Sequence, residues 1–139
     1  MERRKFIKNT SIGTAGIACG LGSIFIQSCT STQRVQGSFQ NNQLSIALSD
    51  LSDQTFVLTN HPNKEDEIAL VNVENSWIAL NTACTHKGCP TKKVGARFNC
   101  PCHGAEFSLS GKVLKGPANE DLISYKTAIT EQELIIFLS

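Results

Sequence analysis

Aromatic residues are sparse in this chain of 139 residues: one Trp, one Tyr and seven Phe. So few large rings imply a modest core, and the length points to a single domain. A dominant charge is lacking too. The formal net charge is +1, which leaves no electrostatic footprint for nucleic acid. The body shows no amphipathic-helix periodicity, so its short apolar runs read as strands. Internal repeats and low-complexity segments are absent. No nucleophile–base pair stands out, and no catalytic activity is expected from this chain alone.

The charge that is present is unevenly placed. Residues 1–28 carry Arg3, Arg4, Lys5 and Lys8 against Glu2, and the remainder carries 9 basic and 11 acidic residues. A basic start followed by an uncharged apolar run, Ile12 to Ile26, has the layout of an export signal. Arg3-Arg4 with Lys5-Phe6-Ile7-Lys8 resembles a twin-arginine signal, the kind that exports proteins already folded around a cofactor. Ile26-Gln27-Ser28-Cys29 resembles a lipobox, which makes Cys29 a lipidation candidate; an uncleaved anchor is the alternative. Cys19, inside the apolar run, reads as an ordinary small apolar residue. The expected organisation is a signal or anchor over 1–29, a polar tether over 30–38 and one domain over 39–139.

That domain reads as all-β. Candidate strands are Leu44–Leu48, Thr55–Thr59, Ile68–Val73, Trp77–Asn81, Ala96–Asn99, Glu106–Leu109, Lys112–Leu114, Ser124–Ile129 and Leu134–Leu138. Turn signals separate them at Asn60–Asn63, Glu74–Ser76, Ser110-Gly111 and Thr130–Gln132. Closely spaced strands suggest a small antiparallel sandwich or barrel. A body of roughly 100 residues is marginal alone, so a metal and a disulfide would help it.

Two blocks dominate the chemistry, C-T-H-K-G-C at Cys84–Cys89 and C-P-C-H-G at Cys100–Gly104. The C-x-H and C-x-x-H spacings offer two sulfurs and two imidazoles, Cys84, His86, Cys100 and His103. Cys89 and Cys102 exceed a count of four. Each block follows a predicted strand, so both would sit on loops at one end of the body. Thiolates with imidazoles restrict the metal to zinc, copper or an iron–sulfur cluster. In a [2Fe–2S] centre with two such thiolates the oxidised site is formally neutral, whereas four thiolates would leave it negative. Adding an electron is then easier, and the imidazoles couple electron to proton uptake. A zinc site on the same four residues is chemically possible.

Together the blocks resemble the Rieske iron–sulfur proteins, in particular the branch found in quinol–cytochrome oxidoreductase complexes. The resemblance covers about residues 75–125. It implies one [2Fe–2S] cluster held by Cys84, His86, Cys100 and His103, and a disulfide between Cys89 and Cys102. It also implies a third loop over the cluster, Gly111 to Ala118, and roles for Gly88, Gly104 and Pro117 in close backbone approach. A disulfide suits an exported domain. In three places the chain departs from that pattern. Ala105 and Phe107 stand where many high-potential members have hydrogen-bonding Ser and Tyr. Without those donors the reduced state is less stabilised, and a low- to mid-potential centre is expected. Lys87 replaces an apolar residue that shields the cluster and faces the quinone pocket.

The expected function is electron transfer on the outer face of a bacterial membrane or in the periplasm, anchored through lipidated Cys29 or an uncleaved segment. The donor would be a quinol or a redox protein, the acceptor a cytochrome or an oxidoreductase subunit. A redox-sensing or structural metal-binding lipoprotein, and a ferredoxin-like donor to an oxygenase, are the alternatives. His61 reads as a solvated turn residue. Lys92, Lys93 and Arg97 read as a solvated hairpin face or a docking patch.

Overall fold

The computed structural model describes residues 32–139. The signal, the lipobox with Cys29 and Cys19 lie outside them. Twelve strands and one short helix follow in order: β1 Gln33–Arg34, β2 Ser38–Gln40, β3 Gln43–Ala47, α1 Leu48–Leu51, β4 Phe56–Asn60, β5 Glu67–Val73, β6 Ser76–Asn81, β7 Lys92–Val94, β8 Arg97–Asn99, β9 Glu106–Ser108, β10 Val113–Lys115, β11 Ser124–Ile129 and β12 Glu133–Phe137. Eight strands form a large sheet in the order β1-β4-β5-β6-β11-β12-β3-β2, and four form a small sheet, β10-β9-β8-β7. Pairing is antiparallel except for β1 along β4. Among the described residues no helix is long and apolar enough to cross a membrane.

Strands β4, β5 and β6 face a core on both sides. One side of them joins Val57, Ile68, Leu70, Trp77 and Ala79 to Leu44, Ile46, Leu134 and Ile136 from the far end of the large sheet. The other side presents Ala69, Val71 and Leu80 to Phe98 and Phe107 of the small sheet. This is why β5 carries the unbroken run Ile68-Ala69-Leu70-Val71, each residue at most 1% exposed; a strand covered on both faces loses polar alternation. Burying a large aliphatic or aromatic side chain contributes about 1.5–3 kcal/mol.

The small sheet and its loops are an excursion between neighbours. The chain leaves the large sheet after β6 and returns as β11, which pairs with β6 through Ser124↔Leu80 and Tyr125↔Ala79. Two tight hairpins fix register elsewhere. Asn41-Asn42 and Glu74-Asn75 take positive φ, 50° and 61°, then 50° and 64°, as two-residue turns matched to strand twist require.

Two expectations need correction. Residues 33–34 and 38, expected in the tether, are strand-paired, and Val35 is 7% exposed in the main core. Strands this short carry no periodicity, and Val35 is the one aliphatic residue of its segment. Lys92–Val94, exposed throughout, is a strand that no apolar alternation marks, and its pairing with Arg97–Asn99 makes the solvated hairpin face expected of Lys92, Lys93 and Arg97. His61 is buried, at 7% exposure. Its ring packs on Tyr125 with centroids 5.8 Å apart, and its Nδ1 accepts the Asn63 N–H at 3.1 Å. Burial, helped by Lys64, pushes the His61 pKa down, against an opposing pull from Asp66.

Candidate metal centre

The first block lies between β6 and β7, and its entry and exit are tied to the large sheet. The Asn81 carboxamide oxygen accepts the Ala83 N–H at 2.7 Å. Thr82 Oγ1 donates to the Glu67 carbonyl at 3.0 Å, and Thr91 Oγ1 donates to the Thr82 carbonyl at 2.8 Å. These side chains were not singled out from the sequence. Polar residues bracketing the block, Asn81-Thr82 before and Thr91 after, were the available signal.

Within the blocks the two loops share one backbone pattern. The Cys84 N–H donates to the Cys89 carbonyl and the Gly88 N–H to the Cys84 carbonyl; the Cys100 N–H donates to the Ala105 carbonyl and the Gly104 N–H to the Cys100 carbonyl. Gly88 and Gly104 occupy equivalent places with φ of 76° and 77°, and an added Cβ would meet no protein atom within 4 Å. Left-handed backbone, rather than close approach by other parts of the chain, is what demands glycine at these positions. One backbone shape thus presents different side chains. Cysteine comes first in both loops, whereas histidine is third in the first loop and fourth in the second.

The side chains converge accordingly. Cys84 and Cys100 are 2% and 3% exposed and form the floor. They touch one another: burial raises the Cys84 pKa, two backbone N–H groups of its own loop oppose the rise, and Cys100 adds to it. His86 and His103, from the same two loops, meet edge to face, ring centroids 4.8 Å apart. His86 is half-buried and His103 exposed. Cys89 and Cys102 form a disulfide with Cα atoms 6.4 Å apart, clasping loop to loop. Cys89, Cys100 and Cys102 place their sulfurs within 4.8 Å of one another. Two of those sulfurs are bonded to each other, so that trio is not a ligand set. The third loop, around the cis Gly116–Pro117 bond, is joined to the first where Thr85 Oγ1 donates to the Glu120 carbonyl at 2.6 Å.

Cys84, His86, Cys100 and His103 fit a metal centre. The His86 Nδ1 is buried without a hydrogen-bond partner, and a buried acceptor of that kind is costly unless something binds it. Burial beside Cys100 makes ionisation of the Cys84 thiol costly until a cation offsets the charge. Ala105 and Phe107 are both 0% exposed in the same apolar cluster as the two thiols, and neither side chain can donate a hydrogen bond there. Lys87 is exposed at the tip.

Residues 42–126 match the family described as the Rieske [2Fe-2S] domain. The chain belongs to that family. A Rieske domain transfers electrons through one [2Fe–2S] cluster with two cysteine and two histidine ligands. The chain is similar to the cytochrome b6-f complex iron–sulfur subunit of Chlorobaculum thiosulfatiphilum, with 38% identity over 74 residues, 52% of this chain and 41% of that protein. It is similar to the same subunit of Synechococcus elongatus, with 38% identity over 79 residues, 53% of this chain and 44% of that protein. The Rieske chain thus spans less than half the length of these two curated relatives. Among solved structures it resembles the cyanobacterial plasma membrane Rieske protein PetC3 from Synechocystis PCC 6803. There the identity is 37%, the TM-score 0.54 and the coverage 65% of this chain and 93% of that one.

Proposed function

We propose that this Rieske domain is a one-electron carrier on the outer side of a bacterial membrane. Cys84, His86, Cys100 and His103 would hold its cluster, the two thiolates on one iron and the two imidazoles on the other. The observation that carries this reading is the convergence of two buried thiols and two imidazoles at one end of the fold, with the second imidazole open to solvent. The cluster supplies one-electron redox chemistry when bound. The protein excludes water from the thiols, fixes the loops through the Cys89–Cys102 bond, and leaves the histidine end accessible to a donor or acceptor. The basic head with Arg3-Arg4 and the Cys29 lipobox support export and anchoring, and the disulfide accords with an oxidising compartment.

The donor in this reading is a quinol or a redox protein, and the acceptor a cytochrome or an oxidoreductase subunit. The cytochrome b6-f relatives favour membership of a quinol-oxidising complex. Exposed Lys87, at a place where an apolar side chain would seal a quinone pocket, favours service to another periplasmic oxidoreductase. Ala105 and Phe107 make the centre low- to mid-potential, better matched to menaquinol than to ubiquinol. The test is EPR of the dithionite-reduced full chain, followed by reduction with a menaquinol analogue. A Rieske-type signal and reduction within a turnover supports the reading. EPR silence with bound zinc sinks it, and a cluster that no quinol or membrane donor reduces favours a sensing or structural role.

A further inference from the structure

Charge divides this molecule along the same line as its two sheets. Residues 82–122 carry six basic side chains against three acidic, a formal +3; the rest of the described chain, 32–81 and 123–139, carries three basic against eight acidic, a formal −5. Opposite net charge on the two parts makes the domain a dipole, positive toward the part that carries the metal centre.

The positive charge has a face. Pairing across the small sheet sets Lys92 beside Asn99, Asn99 beside Glu106 and Glu106 beside Lys115. That row runs over all four strands and ends where Cys100 begins. Two residues along, Val94 and Arg97 sit opposite each other on the same side, since side chains alternate along a strand. The sheet's other side holds Phe98 and Phe107 in the core, so the row looks outward. Glu106 accepts from Arg97 at 2.6 Å and lies 3.9 Å from Lys115. One carboxylate therefore serves two cations, and Lys92 has no ion pair among the described residues. A hollow of about 410 Å³ runs along this face, lined by Lys92, Val94, Lys115, Pro101 and Gly104 among others. Lysine on an exposed edge strand can simply discourage strand pairing, which would account for Lys92 and Lys115 on β7 and β10. It does not account for Arg97 on the interior strand β8, nor for the acidic surplus of the opposite half.

We propose that this outer face of the small sheet is the docking surface for an acidic patch on a redox partner protein. Val94, 55% exposed, supplies the apolar contact amid the cations. The proposal rests on the electron-carrier reading and names the chemistry of the partner's surface. A protein is favoured over an anionic lipid surface because the face adjoins the second loop. A partner seated there lies against the metal centre, where its own redox group can come close, whereas a lipid headgroup layer offers no such group. Opposite charge at the far end orients the approach, and steering of this kind speeds encounter at low salt.

The experiment measures binding of the full chain to an acidic c-type cytochrome and to a basic one, by titration calorimetry at about 0.01 M and about 0.2 M salt, where the Debye length falls from ~30 Å to below ~10 Å. The acidic cytochrome is expected to bind roughly tenfold more tightly than the basic one at low salt, and to lose most of that preference at high salt. The doubly reversed Lys92→Glu/Lys115→Glu variant should weaken binding about tenfold, while Lys64→Glu/Lys126→Glu, an equal change of net charge on the other half, should leave it within about twofold. That pair also separates the face from the basic head at Arg3–Lys8, which all these proteins share. Equal weakening by both variants, or no preference for the acidic cytochrome, overturns the proposal, and the wild-type comparison needs no variant to fold. Lys92- and Lys115-dependent binding to phosphatidylglycerol vesicles without cytochrome binding overturns it in favour of lipid. EPR of the same samples keeps the two readings apart: a missing cluster signal fails the carrier reading, whereas a normal signal with salt-indifferent binding fails only the docking face.

Discussion

The main core of the large sheet is held together by apolar burial, with Leu44, Ile46, Ile68, Leu70, Leu134 and Ile136 all at or below 3% exposure. The small sheet has three-residue strands and spends much of its buried surface on Cys84, Cys100, Phe98 and Phe107. Its loops are fastened by one covalent bond and by hydrogen bonds reaching outside the excursion, as from Thr82 to Glu67. One part of the chain is therefore stable for reasons that need no cofactor. The other is organised around atoms that cofactor chemistry would use. The strands they share, β4 to β6, let the first lend rigidity to the second.

Removing a proposed ligand tests this division most severely. Cys84→Ser is expected to abolish the cluster signal in EPR while far-UV circular dichroism keeps most of its strand content. Hydrogen exchange should then rise at Phe98 and Phe107 but stay slow at Leu70 and Ile136; uniform loss of protection would show that the halves fold as one. Next in size, Leu70→Ala should cost about 2–5 kcal/mol in denaturant unfolding of the whole domain, with the reduction potential unchanged. Replacing both Cys89 and Cys102 by Ala opens a link between residues 13 apart in sequence. It should cost about 3 kcal/mol and accelerate iron release to a chelator, an effect confined to the small sheet.

Smaller effects sharpen the contrast. Ala105→Ser and Phe107→Tyr put hydroxyl donors beside the thiols and should each raise the midpoint potential by tens of millivolts in a redox titration, while thermal unfolding shifts little. His61 belongs to the large sheet, and burial holds its pKa below the ordinary 6.5. The unfolded chain therefore takes up the proton first. Stability is unaffected above that value and declines as pH falls through it toward the folded pKa. His61→Asn should flatten this part of the Tm-versus-pH curve without moving the reduction potential.

The sequence made some of this legible because the signals were dense and local. Nine strand segments stood out as apolar runs between turns, and the two cysteine–histidine blocks named their loops directly. The exposed small-sheet strand Lys92–Val94 did not, since it exists through pairing with Arg97–Asn99 rather than through its own pattern. The burial of Val35 and His61 is hidden for a related reason: each lies in a polar stretch, and its surroundings are set by distant chain, Leu58 in one case and Tyr125 in the other. Asn81 looked like an ordinary strand residue. Its work, holding Ala83 while facing Asp66 and Tyr125, requires three segments far apart in sequence.

The excursion between β6 and β11 has a consequence for how such a protein can be rebuilt. Its two ends emerge as cross-strand neighbours, Leu80 beside Ser124, so residues 82–123 form a cassette plugged into a hairpin. A tight turn in its place would keep every pairing of the large sheet, provided Ala69, Val71 and Leu80, then bared to water, were made polar. Conversely, a hairpin in another host that offers a matching apolar face could accept the cassette, and with it the metal centre and its positive face.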